Sequence, residues 1–268
     1  MRISFIGGGN MTQAILGGLI AEGQAARDCF VVEPHEAARV KLSALAVESA
    51  ATVLPRVFDA EAIVLAVKPQ MMREAIAPLV AKLQSQLVIS IAAGIRSADL
   101  SRWLAYPNIV RTMPNTPALI HAGITGLYAM PAVSAAQRAQ AERLMAAVGK
   151  TLWFEDESML DAVTAVSGSG PAYVFYMIEA LENAALDLGL AAPVARTLAL
   201  ETFLGGARLA AQGSDAPAIL RANVTSKRGT TERAIESFDA AGLKAAFAAG
   251  VRAARERSLE LGNELGKD

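Results

Sequence analysis

Three glycines in succession, Gly7-Gly8-Gly9, stand where the apolar run Ile3-Ser4-Phe5-Ile6 gives way to a helical pattern beginning near Asn10 and Met11. The chemistry available there is anion binding. The first N–H groups of a helix have no partner inside it, and the helix dipole favours negative charge at that end. In Gly7-x-Gly9-x-x-Thr12, Gly7 would allow the tight turn and Gly9 would let the backbone approach a pyrophosphate. Thr12 takes the third position, where Gly or Ala is usual for close helix packing. A glycine-rich turn also occurs without a ligand. Its place at the first strand-to-helix junction is what favours a dinucleotide, held by Ile6, Gly7, Gly8, Gly9, Asn10 and Met11.

Other residues fall where such a ligand would extend. Glu33 ends a second apolar run, at the spacing from which a carboxylate accepts hydrogen bonds from an adenosine ribose; the competing reading is a solvated strand end. A free 2′-hydroxyl suits Glu33 better than a phosphate, unless the carboxylate turns away or His35 and Arg39 compensate it. Ala66-Val67-Lys68-Pro69-Gln70 sets Lys68 at the carboxyl edge of the sheet, as a cofactor donor or as an ordinary surface lysine before a strand-ending proline. In Met113-Pro114-Asn115-Thr116-Pro117 two prolines bracket Asn115. The stiff turn can hold the amide beside a nicotinamide, or it is a structural turn.

Far downstream, Val224-Thr225-Ser226-Lys227-Arg228-Gly229-Thr230-Thr231-Glu232 is a hydroxyl-rich loop running into a helix. It caps that helix, and its free N–H groups and hydroxyls could also bind a carboxylate. Ser167-Gly168-Ser169-Gly170-Pro171 has the same double character: a helix entry, or a pair of glycines that lets another chain or molecule come close.

The elements that must position these groups follow from periodicity. Segments 3–6, 29–32, 62–67, 87–91 and 109–111 read as buried parallel strands, and 10–22, 36–46, 70–83 and 97–105 as helices between them. This is an α/β pattern, an N-terminal Rossmann-type doubly wound sheet. Strand signals stop after Phe154, and helices fit 173–188, 193–211, 215–222, 231–239 and 243–264, with Gly205-Gly206 as a point of close helix approach. The expected division is 1–157, dinucleotide binding, and 158–268, helical.

Composition narrows the classes. With 268 residues, 53% of them hydrophobic, the chain can bury a large core. A net charge of −1 without a clustered basic face argues against nucleic acid. Charges interrupt every apolar span before membrane length, and no secretion signal is visible at Met1-Arg2. The single cysteine, Cys29, lies in an apolar strand and reads as a buried small hydrophobe, which fits a reducing cytoplasm. No metal is called for.

Taken together, five blocks resemble pyrroline-5-carboxylate reductases: Ile6 to Met11, Ala66 to Gln70, Met113 to Pro117, Ser167 to Tyr173, and Val224-Thr225-Ser226 with Gly229-Thr230-Thr231. The resemblance covers essentially the whole chain. It implies a C-terminal all-helical dimerisation domain whose helices interleave between subunits, with dimers sometimes built into decamers. It implies reduction of L-1-pyrroline-5-carboxylate to L-proline by NADPH or NADH, the last step of proline biosynthesis. It further implies that Ala66, Val67, Lys68 and Pro69 line the cofactor near its nicotinamide end and that Asn115 sits near that ring. Ser226, Gly229, Thr230 and Thr231 would bind substrate, with Thr231 near the ring nitrogen as an orienting group. Lys227-Arg228 departs from the usual Pro-Gly of the family, replacing a fixed φ and a permissive glycine with two flexible cations. The family's common asparagine before the strand at 62–67 is also absent.

That reaction asks mainly for alignment of two rings and exclusion of water. Family likeness leans to NADPH and Glu33 to NADH, so dual use is the expectation. Neither His35 nor His121 falls in a substrate block. A β-hydroxyacid dehydrogenase of similar plan would need a lysine in its helical domain, and none occurs from Thr151 through Ser226. A noncatalytic dinucleotide-binding module is the other alternative; it would bind cofactor without oxidising it.

Overall fold

The computed structural model describes residues 1–267, and its contacts divide the chain into two compact units, 1–169 with 254–267, and 170–253. The first unit is built on one sheet of eight strands. Six run parallel to one another: β1 Ile3–Ile6, β2 Cys29–Val32, β3 Glu48–Ala50, β4 Ala62–Leu65, β5 Leu87–Ser90 and β6 Ile109–Met113. Then β7 Gly123–Ala129 runs antiparallel to β6, and β8 Gly149–Trp153 lies parallel to β7. The spatial order is β3-β2-β1-β4-β5-β6-β7-β8.

Alternation along the strands makes two cores. Ile3, Phe5, Cys29, Val31, Val64 and Ile89 face one side of the sheet. There they meet helices α1 Asn10–Ala21 and α2 Glu36–Ser43 and, further along the chain, α5 Ala135–Ala146. Ile6, Phe30, Val32, Ile63, Leu65 and Val88 face the other side, towards α3 Met72–Ile76 and α4 Ser97–Leu104. Each fully buried Leu, Ile or Phe contributes roughly 1.5–3 kcal/mol of transfer energy, so the central strands, covered on both faces, fix the sheet. The chain leaves β1 towards β2 and β3, then returns to lay β4 on the other side of β1. The carboxyl ends of β1 and β4 therefore flank the point where the strand order reverses, which is the ligand crevice of open α/β sheets.

The expected core strands are all present. Three further strands and one broken helix correct the expected detail. The segment expected as one helix over 70–83 is a 3-10 turn at Pro69–Met71, the short α3, and a second 3-10 turn at Ala77–Leu79, because Pro78 has no N–H to continue an α-helix. The strand expected to reach Val67 ends at Leu65, and the sheet continues past β6 through β7 and β8.

After β8 come a short helix α6, Met159–Val163, and one π-helical turn over Thr164–Gly168, closed by the Ser169 N–H donating to the Thr164 carbonyl at 2.8 Å. The second unit is wholly helical: α7 Gly170–Asp187, α8 Ala192–Gln212, α9 Pro217–Asn223, α10 Thr230–Ala240 and the first part of α11 Leu243–Leu265. Helix α7 has no buried residue and α8 has two, Ala195 and Ala199. Phe175 and Tyr176, 65% and 71% exposed, and Leu188, Leu204 and Leu209 leave much of the apolar surface of this unit uncovered in the single chain. Nothing lies within 4 Å of a Cβ built at Gly205 or Gly206, so the close approach expected there is not made within the chain. Among the described residues no helix is long and apolar enough to cross a membrane.

Candidate functional site

The glycine turn is shaped by contacts that each require a particular residue. Gly7 has φ +104°, and a Cβ there would stand 2.6 Å from the Ala66 carbonyl oxygen, so only glycine lets the turn close on the strand-end peptide of β4. The Gly7 N–H donates to Val32 O at 2.8 Å and the Ala66 N–H to Ile6 O at 2.8 Å, which holds the ends of β1, β2 and β4 together. Thr12 is fully buried, and its hydroxyl donates to Gly7 O at 2.7 Å. The residue that departs from the usual small third position thus clamps the turn. Gln13 Nε2 adds a bond to Gly8 O at 2.9 Å.

What remains free is the anion cradle. Gly9 precedes α1 with no side-chain cap and no acidic residue in the first turn. The first N–H to find a helical partner is that of Gln13, on Gly9 O. The N–H groups of Gly9, Asn10, Met11 and Thr12 carry no acceptor among the described residues, and Gly9 has open space where a side chain would be. A pyrophosphate fits those donors and that space.

Two polar residues expected at the ligand are turned into the protein. Glu33 is 6% exposed; its Oε2 accepts from the Gly8 N–H at 2.7 Å and its Oε1 from the His35 N–H at 2.9 Å. A Cβ at Gly8 would meet Glu33 Cβ at 3.0 Å, so the middle glycine makes room for this side chain. Asn115 lies at the end of β6, two strands from β4. Its Oδ1 accepts from the Ile124 N–H at 3.0 Å and its Nδ2 donates to Ser167 O at 3.2 Å. It ties the start of β7 to the π turn. Lys68 is exposed, and its ammonium has no partner among the described residues.

Behind this edge lies a buried charged cluster that the sequence did not disclose. Arg111 of β6, 3% exposed, sits 3.1 Å from Glu157 and 3.9 Å from Asp161 of α6. Glu157 accepts from both the N–H and the hydroxyl of Ser97, each at 2.6 Å, at the start of α4. Asp161 accepts from the Ser258 hydroxyl of α11 at 2.6 Å. Gly168 of the π turn is packed under Met113, where a Cβ would meet the methionine methyl at 2.5 Å.

In the helical unit, Ser226 to Gly229 form a turn closed by the Gly229 N–H on Ser226 O at 3.0 Å. A Cβ at Gly229 would collide with the Ser226 hydroxyl at 2.4 Å. Arg228 takes the left-handed conformation, φ +61°, that the family's usual glycine would adopt without cost. Glu232 reaches back to accept from the Arg228 N–H at 2.5 Å. The N–H groups of Thr230 and Thr231 and the hydroxyls of Ser226, Thr230 and Thr231 have no partner among the described residues, which makes a second set of free donors at a helix start. The ammonium of Lys227 and the guanidinium of Arg228 are likewise unpaired among the described residues.

Residues 157–261 match the family profile described as pyrroline-5-carboxylate reductase dimerisation, and 2–94 match that of NADP oxidoreductase, coenzyme F420-dependent. The sequence is 47% identical to a pyrroline-5-carboxylate reductase of Pseudomonas aeruginosa over 99% of this chain and 98% of that one. Among solved structures, a pyrroline-5-carboxylate reductase from Coxiella burnetii superposes with TM-score 0.90 at 37% identity, covering 97% of this chain and 98% of the other. A pyrroline carboxylate reductase of Plasmodium falciparum with NADP bound superposes with TM-score 0.86 at 26% identity, covering 98% of each chain.

Proposed function

The chain belongs to the pyrroline-5-carboxylate reductase family, and from that premise we propose that it reduces L-1-pyrroline-5-carboxylate to L-proline at the expense of NAD(P)H. The observation that carries the reading is 47% identity along 99% of the chain, coinciding with a glycine cradle whose helix-start donors are free.

The cofactor, when bound, supplies a hydride to the imine carbon, and a proton completes the amine nitrogen. The residues of this chain bind and orient. Gly9, Asn10 and Met11 offer N–H groups to the pyrophosphate, Ile6, Gly7 and Gly8 shape the turn, and Ala66 to Pro69 flank it on the β4 side. Ser226, Gly229, Thr230 and Thr231 form the substrate half, with the N–H groups at the start of α10 taking the carboxylate and the Thr231 hydroxyl orienting the ring nitrogen. Asn115 serves near the nicotinamide by holding the β6–β7 turn to the π segment, a positioning role supported by its two backbone bonds.

We assign residues 1–157 to dinucleotide binding and 158–268 to substrate binding and homodimerisation, with decamers as a higher assembly. The uncovered apolar faces of α7 and α8 support self-association. The near-neutral charge supports a small-molecule substrate rather than nucleic acid, and a lone buried cysteine supports a cytoplasmic setting. The test is an initial-rate assay with pyrroline-5-carboxylate and NADH or NADPH in parallel. Consumption of reduced nicotinamide with formation of proline is the expected result. Binding of cofactor without its oxidation, across substrate concentration and pH, would leave a noncatalytic dinucleotide module instead.

A further inference from the structure

The edge of the sheet opposite the glycine turn carries polar groups that the reductase reading leaves unused. Strands β1, β2 and β4 begin in register there, with Ile3 beside Cys29 and Ala62. A pocket of about 190 Å³ opens among their amino ends, with Ser4 and Phe30 at its buried base and Arg2, Arg27, Asp28 and Asp59 around it. Ser4 is the one polar residue of β1, and its neighbours in the ladder are Phe30 and Ile63. It is 1% exposed, and its hydroxyl has no partner among the described residues. A hydroxyl left unbonded between apolar neighbours carries a desolvation cost that a ligand in the pocket would remove. Arg56 walls one side: it stacks on the Phe30 ring at 5.4 Å, donates to Arg27 O at 2.7 Å and pairs with Glu48.

The charges around the pocket are of both signs. Among the described residues the guanidinium groups of Arg2 and Arg27 have no partner, and the carboxylates of Asp28 and Asp59 accept no hydrogen bond and join no ion pair. Two cations and two carboxylates thus border one small space without pairing across it. A simple anion there is attracted by the arginines and repelled by the aspartates, and a simple cation meets the reverse; a molecule carrying a carboxylate and an ammonium together satisfies both sets. A cavity of about 150 Å³ holds a benzene-sized molecule, so this space suits a ligand of about six to nine non-hydrogen atoms. We propose that the pocket binds a small zwitterionic amino acid, with its carboxylate on Arg2 and Arg27, its ammonium on Asp28 and Asp59, and the Ser4 hydroxyl bonded to it from below. The site is built on the sheet unit alone, at the far end of β1 from the glycine cradle, and does not depend on the reductase reading.

Calorimetry with L-alanine, propionate and ethylammonium tests the site without turnover, because the last two each carry one of the two charges of the first. L-Alanine should bind the wild type more than about 10-fold tighter than either. Arg27 and Asp59 are exposed, so substitutions there leave the core intact. In Arg27→Gln, alanine and propionate should both weaken more than about 5-fold. In Asp59→Asn, alanine should weaken while propionate tightens, since the repulsion of its carboxylate is gone. Ser4→Ala should weaken alanine and leave that opposite response to Asp59→Asn in place. Thr231→Ala, in the helical unit, should bind alanine as the wild type does. Absence of saturable alanine binding overturns the site, and so does binding that survives Arg27→Gln and Asp59→Asn but is lost in Thr231→Ala, which puts the ligand at the proposed substrate turn. Propionate or inorganic phosphate binding the wild type as tightly as alanine overturns the zwitterion assignment.

Discussion

At the scale of single residues, the hydroxyl of Thr231 is the sharpest probe of the proposed substrate half. It begins a helix, is half-buried, and has no partner among the described residues. Thr231→Ala therefore breaks nothing in the fold and should lower kcat/KM by about 1–3 kcal/mol if the hydroxyl meets the substrate in a desolvated site. Unaltered steady-state kinetics would remove it from the site. Cys29 makes the opposite case. Burial, with help from the neighbouring negative charge of Asp28, pushes its thiol from 9.0 up to about 11. An unfolded chain gives up that proton as pH rises past 9, whereas the folded chain keeps it until about 11. The group thus withdraws stability as pH climbs through this window. Denaturation midpoints measured from pH 8 to 11 should fall less steeply in Cys29→Ala than in the wild type. Side-chain direction is where the sequence was hardest to read. Glu33 and Asn115 were placed in the right turns, but whether a carboxylate or amide at a strand end faces a ligand or a backbone N–H depends on donors that folding brings in, from Gly8 and Ile124. Thr12 is similar, because its buried bond to Gly7 O exists only once the turn has closed.

At the scale of elements, legibility followed burial. Strands β1, β2, β4 and β5 are apolar runs buried on both faces, and each was visible. Three strands were not. Only three residues long and partly exposed, β3 gives no run to detect; β7 carries Gly123 and Gly126, which weaken strand propensity; and β8 shows only half-buried and exposed positions. Gly126 has a structural reason that no periodicity reveals: a Cβ there would meet Val163 at 2.9 Å, so α6 is seated against β7. The same helix supplies the clearest prediction at this level. Arg111→Met would leave the carboxylates of Glu157 and Asp161 facing each other's surroundings without their cation, a change that typically costs about 3–5 kcal/mol. Chemical denaturation should show that loss, and a double substitution with Asp161→Leu should recover part of it. Equal stability of Arg111→Met and wild type would mean that the cluster is solvated in solution.

At the scale of the whole molecule, the helical unit offers more apolar surface than the chain itself covers, with Phe175, Tyr176 and Leu188 all more than half exposed. Exposed patches of this kind mark association surfaces. Sedimentation should therefore find an obligate dimer, and Leu204→Asp with Leu209→Asp should yield a species that dissociates or aggregates. A stable, active monomer at low concentration would refute the assembly. Residues 258–266 pack back onto the sheet unit. Arg96 of that unit holds Asn263 at 2.7 Å, Arg102 holds the Gly266 carbonyl at 2.7 Å, and Asp161 takes the Ser258 hydroxyl. The sheet unit is thus discontinuous in sequence, since residues 254–267 join it only after the chain has passed through the whole helical unit. A chain cut back to residue 253 should therefore resist protease less well in residues 1–169 than the full chain does, and equal protection there would show that the sheet unit closes without the segment.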